Sequence, residues 1–376
     1  MILLEDKIFQ DGINFLASIL QKQHNEQFNW AKSIYDNQQN LKKSLGINDA
    51  SIPWEPYYNR SVPLNSQEPE IYNKYGEKFK VVFLSDREGA HVAYGGGRHV
   101  FFDRYNYGLK IHLYSHDEAF RLVGNPDKRF AYLVESRMIT PQSYTNYLKN
   151  REYMENNFEC VFTYDEEVLN TIKNAKFAPL CASVWYGKTQ SFMAENMQLG
   201  GGVSVKNATD VLSNESYKSK NKNISIVASE KRMVQMHLVR QALAMKCKKE
   251  SLADTYGKFD GGSYVPIELP FQYYRYSIVV ENNITPYYFT EKILNCFAAQ
   301  TIPIYLGATK INEFFNPDGI ITFKLEDIDH IEDILKQCTK EEYERRLPAI
   351  IDNYNRIMNN YFDRNCWDNI CDEYFK

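Results

Sequence analysis

The chain has 376 residues, and its 44 Lys and Arg against 48 Asp and Glu leave a formal charge of −4, too weak a field to hold a phosphate polymer or an anionic membrane non-specifically. At 44% hydrophobic and 24% charged residues it is too apolar for disorder, and its length suits two ordinary domains or one large α/β unit. Seven cysteines, an odd number without a C-x-x-C pair, argue against a disulfide framework and read as reduced thiols.

In chain order, residues 1–45 read as one or two helices, with Phe9, Ile13, Leu16 and Leu20 at helical spacing. Acids stand where a secretory signal needs a positive start, and no window approaches the ~18 apolar residues that span a bilayer. The expectation is a cytoplasmic protein, at most peripheral at the inner membrane, with no transmembrane segment and no nucleic-acid partner. Residues 48–78, with Pro53, Pro56, Pro63 and Pro69, read as an irregular connection. Short β-rich runs follow at 80–85, 99–103, 109–115, 130–134 and 160–164, separated by polar or helical segments. Residues 206–222, rich in Asn, Ser and Lys, mark a domain boundary.

A second series then opens with a strand at 223–228, a helix over 231–248, a strand at 252–256 and another at 276–280. A helix from 290 to 299, a strand at 302–306 and helices to the end complete it. Alternating strands and helices predict a mostly parallel α/β sheet in each series, and two such series predict two domains facing a cleft.

The chemistry concentrates between residues 274 and 307. A strand there leads through a loop to an N-cap, Thr290, and a helix with Ile293, Leu294, Phe297 and Ala298 on one face. Ligands of open α/β sheets sit outside the carboxyl ends of the strands, and the N–H groups of a helix start attract phosphate. Lys292 in the first turn has the wrong charge for the helix dipole, a conflict expected where an anion binds.

The segment closely resembles the C-terminal signature of the glycosyltransferase family 10 fucosyltransferases. That signature runs Glu-Asn-Ser, Tyr-Val-Thr-Glu-Lys, Pro-Ile-Tyr-x-Gly and Phe-x-Pro. This chain has Glu281-Asn282-Asn283, Tyr288-Phe289-Thr290-Glu291-Lys292, Pro303-Ile304-Tyr305-Leu306-Gly307 and Phe315-Asn316-Pro317 in the same order. The resemblance implies an α/β, GT-B architecture of two Rossmann-like domains with extra N- and C-terminal helices. Residues 1–215, including a helical region 1–75, would bind the acceptor, and residues 216–376 would bind the GDP-sugar. Carried over by position, Glu291 would hold the ribose hydroxyls and Lys292 the diphosphate, with Glu281, Asn282, Asn283 and Tyr288 shaping the pocket around Thr290. Asp254 to Lys258, with Tyr256, is similar to the family's strand-turn before that site. The family also places a phosphate-binding cation after the first strand of this domain, where Lys231 and Arg232 both stand and the spacing does not choose.

In the first half, Glu135-Ser136-Arg137 looks like the family's Glu-Ser-Pro segment, which supplies the catalytic base; Arg137 stands where Pro is common. Residues 158–164 and the run from Ala178 to Tyr186 follow in the family's order. The implied reaction is inverting transfer of L-fucose from GDP-fucose to a hydroxyl of an oligosaccharide or glycolipid acceptor, in an α-1,3 linkage, with a divalent cation optional. Alternatives are a transferase of the same signature using a GDP-heptose or GDP-mannose type of donor, or a non-catalytic glycan-binding protein on the same fold. Asp327-Ile328-Asp329 spells a metal-binding triplet but opens an expected helix, and Gly95-Gly96-Gly97 and Gly200-Gly201-Gly202 lack dinucleotide-site spacing. No metal site is expected.

Overall fold

A computed structural model describes residues 67–73, 75–86, 98–103, 106–187, 212–263, 265–362 and 366–376. The helices expected over 1–45, both glycine triplets and residues 206–211 of the expected boundary at 206–222 lie outside the described residues.

Strands β1 (Lys80–Ser85), β2 (Val100–Asp103), β3 (Ile111–Ser115), β4 (Lys128–Tyr132), β5 (Cys160–Thr163) and β6 (Ala175–Phe177) form a sheet in the order β2-β1-β3-β4-β5-β6. Every pairing is parallel. β1 is buried from Val81 to Ser85, the continuous burial that a parallel strand covered on both faces requires. Helices α1 (Pro141–Lys149), α2 (Arg151–Asn157) and α3 (Glu166–Thr171) cover one face, where Tyr144, Tyr147, Met154 and Val168 pack with Tyr114, Ala131 and Val161.

The second sheet contains β7 (Lys222–Val227), β8 (Asp254–Tyr256), β9 (Tyr274–Val280), β10 (Ile302–Leu306) and β11 (Ile321–Thr322) in the order β11-β10-β9-β7-β8, again all parallel. Helix α4 (Gln235–Lys249) follows β7 and α5 (Glu291–Ala298) follows β9. Beyond the sheet come α6 (Ile331–Leu335), α7 (Lys340–Arg345), α8 (Leu347–Ile357) and α9 (Cys366–Tyr374). Two parallel sheets with their helix layers make the α/β, GT-B class of architecture.

Pro303 sits inside β10, a central strand, where a residue without an N–H normally forfeits a ladder bond. The Tyr305 carbonyl accepts the Phe323 N–H, so alternation turns the Pro303 nitrogen to the same side. β11 begins opposite Ile304, one residue later, so Pro303 has no strand partner there to lose.

The last helix departs from the division at 215/216. α9 follows the second sheet in sequence, yet Trp367, Ile370, Cys371 and Phe375 pack with Val82, Leu84, Phe130 and Tyr132 on the other face of the first sheet. Trp367 meets Phe102 and Tyr132 edge-on, with ring centroids 5.3 and 5.2 Å away. An amphipathic helix carries no address for either sheet, so its sequence position alone had assigned it. Among the described residues, no helix is long and apolar enough to cross a membrane.

Candidate active site

β9 ends at Val280, and the next residue, Glu281, has no exposed surface. A buried carboxylate is costly unless its oxygens are satisfied. Thr290 satisfies both, donating its N–H to Oε1 at 3.0 Å and its hydroxyl to Oε2 at 2.8 Å. Thr290 is also the N-cap of α5, its Oγ1 accepting the Lys292 N–H at 3.3 Å. Glu281 therefore fixes both ends of the loop 282–289 from behind the site, and burial pushes its carboxyl up from the ordinary value.

Lys292 Nζ lies 2.9 Å from Glu291 Oε1 and 3.7 Å from Glu281 Oε2. The chain thus supplies anions for the cation that conflicts with the dipole of α5. Burial opposes ionisation of both members of the Glu291–Lys292 pair, but their mutual attraction prevails. Glu291 is held below the usual carboxylate range and Lys292 above the usual ammonium one.

Asn282 is held from α4. The Met233 N–H donates to His237 Nδ1 at 3.2 Å, so the imidazole proton is on Nε2, which donates to Asn282 Oδ1 at 3.1 Å. Arg240 Nη2 donates to the same oxygen at 2.9 Å, and its Nε donates to the Val280 carbonyl, also at 2.9 Å. Burial brings His237 down to about 4, and the charges of Arg240, Lys231 and Lys292 act in the same direction. Three cations therefore act on His237, and one of them, Arg240, bonds Asn282. Lys231 and Arg232 are exposed on the loop between β7 and α4. Arg240, only 8% exposed, was missed by sequence reasoning because an Arg within a helical pattern reads as solvent-facing; its one signal is the spacing of three from His237.

Glu135 lies three residues beyond β4, which ends earlier than the expected 130–134 run. Its N–H donates to His116 Nε2 at 3.3 Å, and its carbonyl accepts the hydroxyls of Tyr144 at 2.7 Å and Tyr164 at 2.9 Å. The Ser136 N–H donates to its Oε1 at 2.7 Å. His116 turns at a left-handed φ of 46°, backbone strain of a kind that gathers at functional sites. Arg137, standing where the family has Pro, ties the loop to Asp165 at 3.3 Å and Glu167 at 2.6 Å.

The two halves meet at Cys181, whose thiol donates to the Val134 carbonyl at 2.5 Å. Burial, and then the charges of Glu135, Glu291 and Glu281, push this thiol well above its usual value. The charge of Glu135 from the first half and those of Glu281 and Glu291 at α5 thus reach the same sulfur.

Three other expected residues have different surroundings. Tyr288 is 2% exposed and packs in the aromatic core of the first half, its ring 5.0 Å from Tyr164. Tyr256 directs its hydroxyl to that of Tyr274, 2.6 Å away at the start of β9, and so away from the carboxyl ends of the strands. Asn283 Oδ1 accepts the Ile284 N–H at 2.9 Å, closing a local turn. Asp327 accepts the Lys324 N–H at 2.7 Å at the start of a 3-10 turn. Among the described residues, no group of three or more His, Cys, Asp or Glu could hold a metal ion.

Residues 217–346 match the family model described as glycosyltransferase family 10 (fucosyltransferase) C-term. A comparison with curated proteins finds no match. Among solved structures, an α1,3-fucosyltransferase with GDP is 17% identical, with 79% of this chain and 84% of that one covered at a TM-score of 0.44. An α1,3-fucosyltransferase with GDP-fucose is 18% identical, with 79% and 85% covered at 0.41. A T4 phage BGT mutant in complex with UDP-glucose is 10% identical, with 75% and 96% covered at 0.39.

Proposed function

From a chain whose residues 217–346 belong to the glycosyltransferase family 10 fucosyltransferases, we propose an enzyme that transfers L-fucose from GDP-fucose to a glycan hydroxyl with inversion, in an α-1,3 linkage. The observation that carries this reading is the charge of Arg240, Lys231 and Lys292 felt at His237, which with Arg240 holds Asn282, while Glu135 and Glu291 act on the same Cys181 thiol. Arg240 and Lys292 offset the carboxylates of Glu281 and Glu291, and the exposed Lys231 and Arg232 add positive charge that suits a diphosphate.

In the mechanism, Glu291, kept ionised beside Lys292, accepts the ribose hydroxyls. Lys292, Arg240 and one of Lys231 and Arg232 stabilise the charge that develops on the departing GDP. Glu135 takes the acceptor proton as the hydroxyl oxygen attacks the anomeric carbon opposite the diphosphate. Its carbonyl and N–H are anchored by Tyr144, Tyr164 and His116, so the backbone carrying the base does not drift during the step. Cations of the chain provide the charge stabilisation, and a divalent metal is optional. The acceptor is an oligosaccharide or glycolipid, and the enzyme is cytoplasmic.

Calorimetric titration of GDP, UDP and ADP, with a chelator and then with manganese, tests the nucleotide site. Selective GDP binding, followed by turnover of GDP-fucose in preference to GDP-mannose, is the expected result. Binding of UDP alone, with manganese, would overturn the reading.

A further inference from the structure

α5 carries its donor-site residues in the first turn, and one turn later it buries Asn295, 1% exposed, among Ile293, Leu294, Cys296 and Phe297. A buried amide in an apolar row needs a polar partner. Asn295 Oδ1 accepts the N–H groups of both Trp185 and Tyr186, each at 2.9 Å. These belong to an irregular run without a strand ladder of its own, so Asn295 supplies acceptors that the backbone lacks. The same run buries Ala182, Val184 and Tyr186 against α5. At its other end Cys181 donates to the carbonyl of Val134, the residue before Glu135.

One short run is thus bonded at one end to the neighbour of Glu135 and at the other to the helix that presents Glu291 and Lys292. We propose that Asn295 is a positioning residue which, through Trp185, Tyr186 and Cys181, sets the placement of Glu135 against the donor groups. The proposal rests on the transfer reading above. Asn295 touches no substrate; it acts on the alignment of the chemical step and leaves nucleotide affinity alone.

The test compares Asn295→Ala with Asn295→Asp, which keeps an acceptor of the same shape, in the full chain. Hydrogen exchange at the Trp185 and Tyr186 amides reads the clamp directly, GDP-fucose turnover reads the alignment, and GDP titration reads the donor site. For Asn295→Ala the expectation is exchange at those amides at least about tenfold faster, kcat lowered roughly ten- to hundredfold, and GDP affinity within about twofold, with Asn295→Asp recovering most of both losses. Cys181→Ala should lower kcat in the same direction with GDP affinity again retained. Faster exchange with unchanged kcat would overturn the positioning role, as would equal losses of kcat and GDP affinity or no recovery with Asp. A wild-type chain that binds GDP but turns over no GDP-fucose would instead sink the transfer reading, and this role with it.

Discussion

Two acids stand just past the carboxyl ends of parallel strands, Glu135 after β4 and Glu281 after β9, and their surroundings give them opposite work. Glu281 has no exposed surface and commits both oxygens to Thr290, so it holds a loop and a helix cap together. Glu135 keeps some exposure, at 8%, its carbonyl is held by Tyr144 and Tyr164, and its Oε1 accepts the Ser136 N–H at 2.7 Å. A carboxylate at a strand end is therefore not a site by position alone.

The sharpest way to break this contrast is Glu135→Gln. It should lower kcat about 10²- to 10⁴-fold, the range for losing a general base, with GDP affinity by calorimetry within about twofold; near-normal turnover would remove Glu135 from the mechanism. Glu281→Gln should do the reverse. Presenting an amide to the Thr290 donors should cost about 1–3 kcal/mol of stability in denaturant titrations, with kcat largely retained in the folded enzyme. Lys292→Ala should weaken GDP binding roughly ten- to hundredfold, as expected for a lost charge-assisted contact, and unchanged affinity would place the diphosphate elsewhere. Thr290→Ala should lose about 1 kcal/mol of stability with Thr290→Ser recovering it, since the cap and the brace share one hydroxyl.

The smallest effect is one of pH. Burial holds His112 in the first half and His237 in the second down to about 4. The unfolded chain takes up these protons near pH 6.5, so their contribution is intact above that pH and is lost as the pH falls toward about 4. His237→Gln should flatten part of the acid limb in thermal scans between about pH 7 and 5. An unchanged slope would mean that the Asn282 support titrates no differently in the folded and unfolded chain.

The strand, loop and helix from β9 to α5 were legible because their chemistry is contiguous: a cap, an acid and a cation in adjacent positions after an apolar strand. Glu135 was legible only through order along the chain, since its anchors, His116, Tyr144 and Tyr164, come from three separate elements. Arg240 escaped because burial of a helix residue depends on what packs against it. Tyr256 and Tyr288 were placed at the pocket by motif position, but a side chain's direction depends on neighbours that the motif does not contain. Tyr288 found Tyr164 across the halves, and Tyr256 found Tyr274 along the sheet.

The return of α9 to the first sheet means that the chain crosses between the halves twice. A single tether would leave two bodies free to swivel in any direction. Two tethers allow fewer relative motions than one, and the loop between β9 and α5 meets the end of β5 where the Tyr288 ring packs on Tyr164. In its topology the second half is an insertion into the first, and cutting the chain after Phe362 would strip core residues from the sheet that bears Glu135 while leaving the second half its own strands.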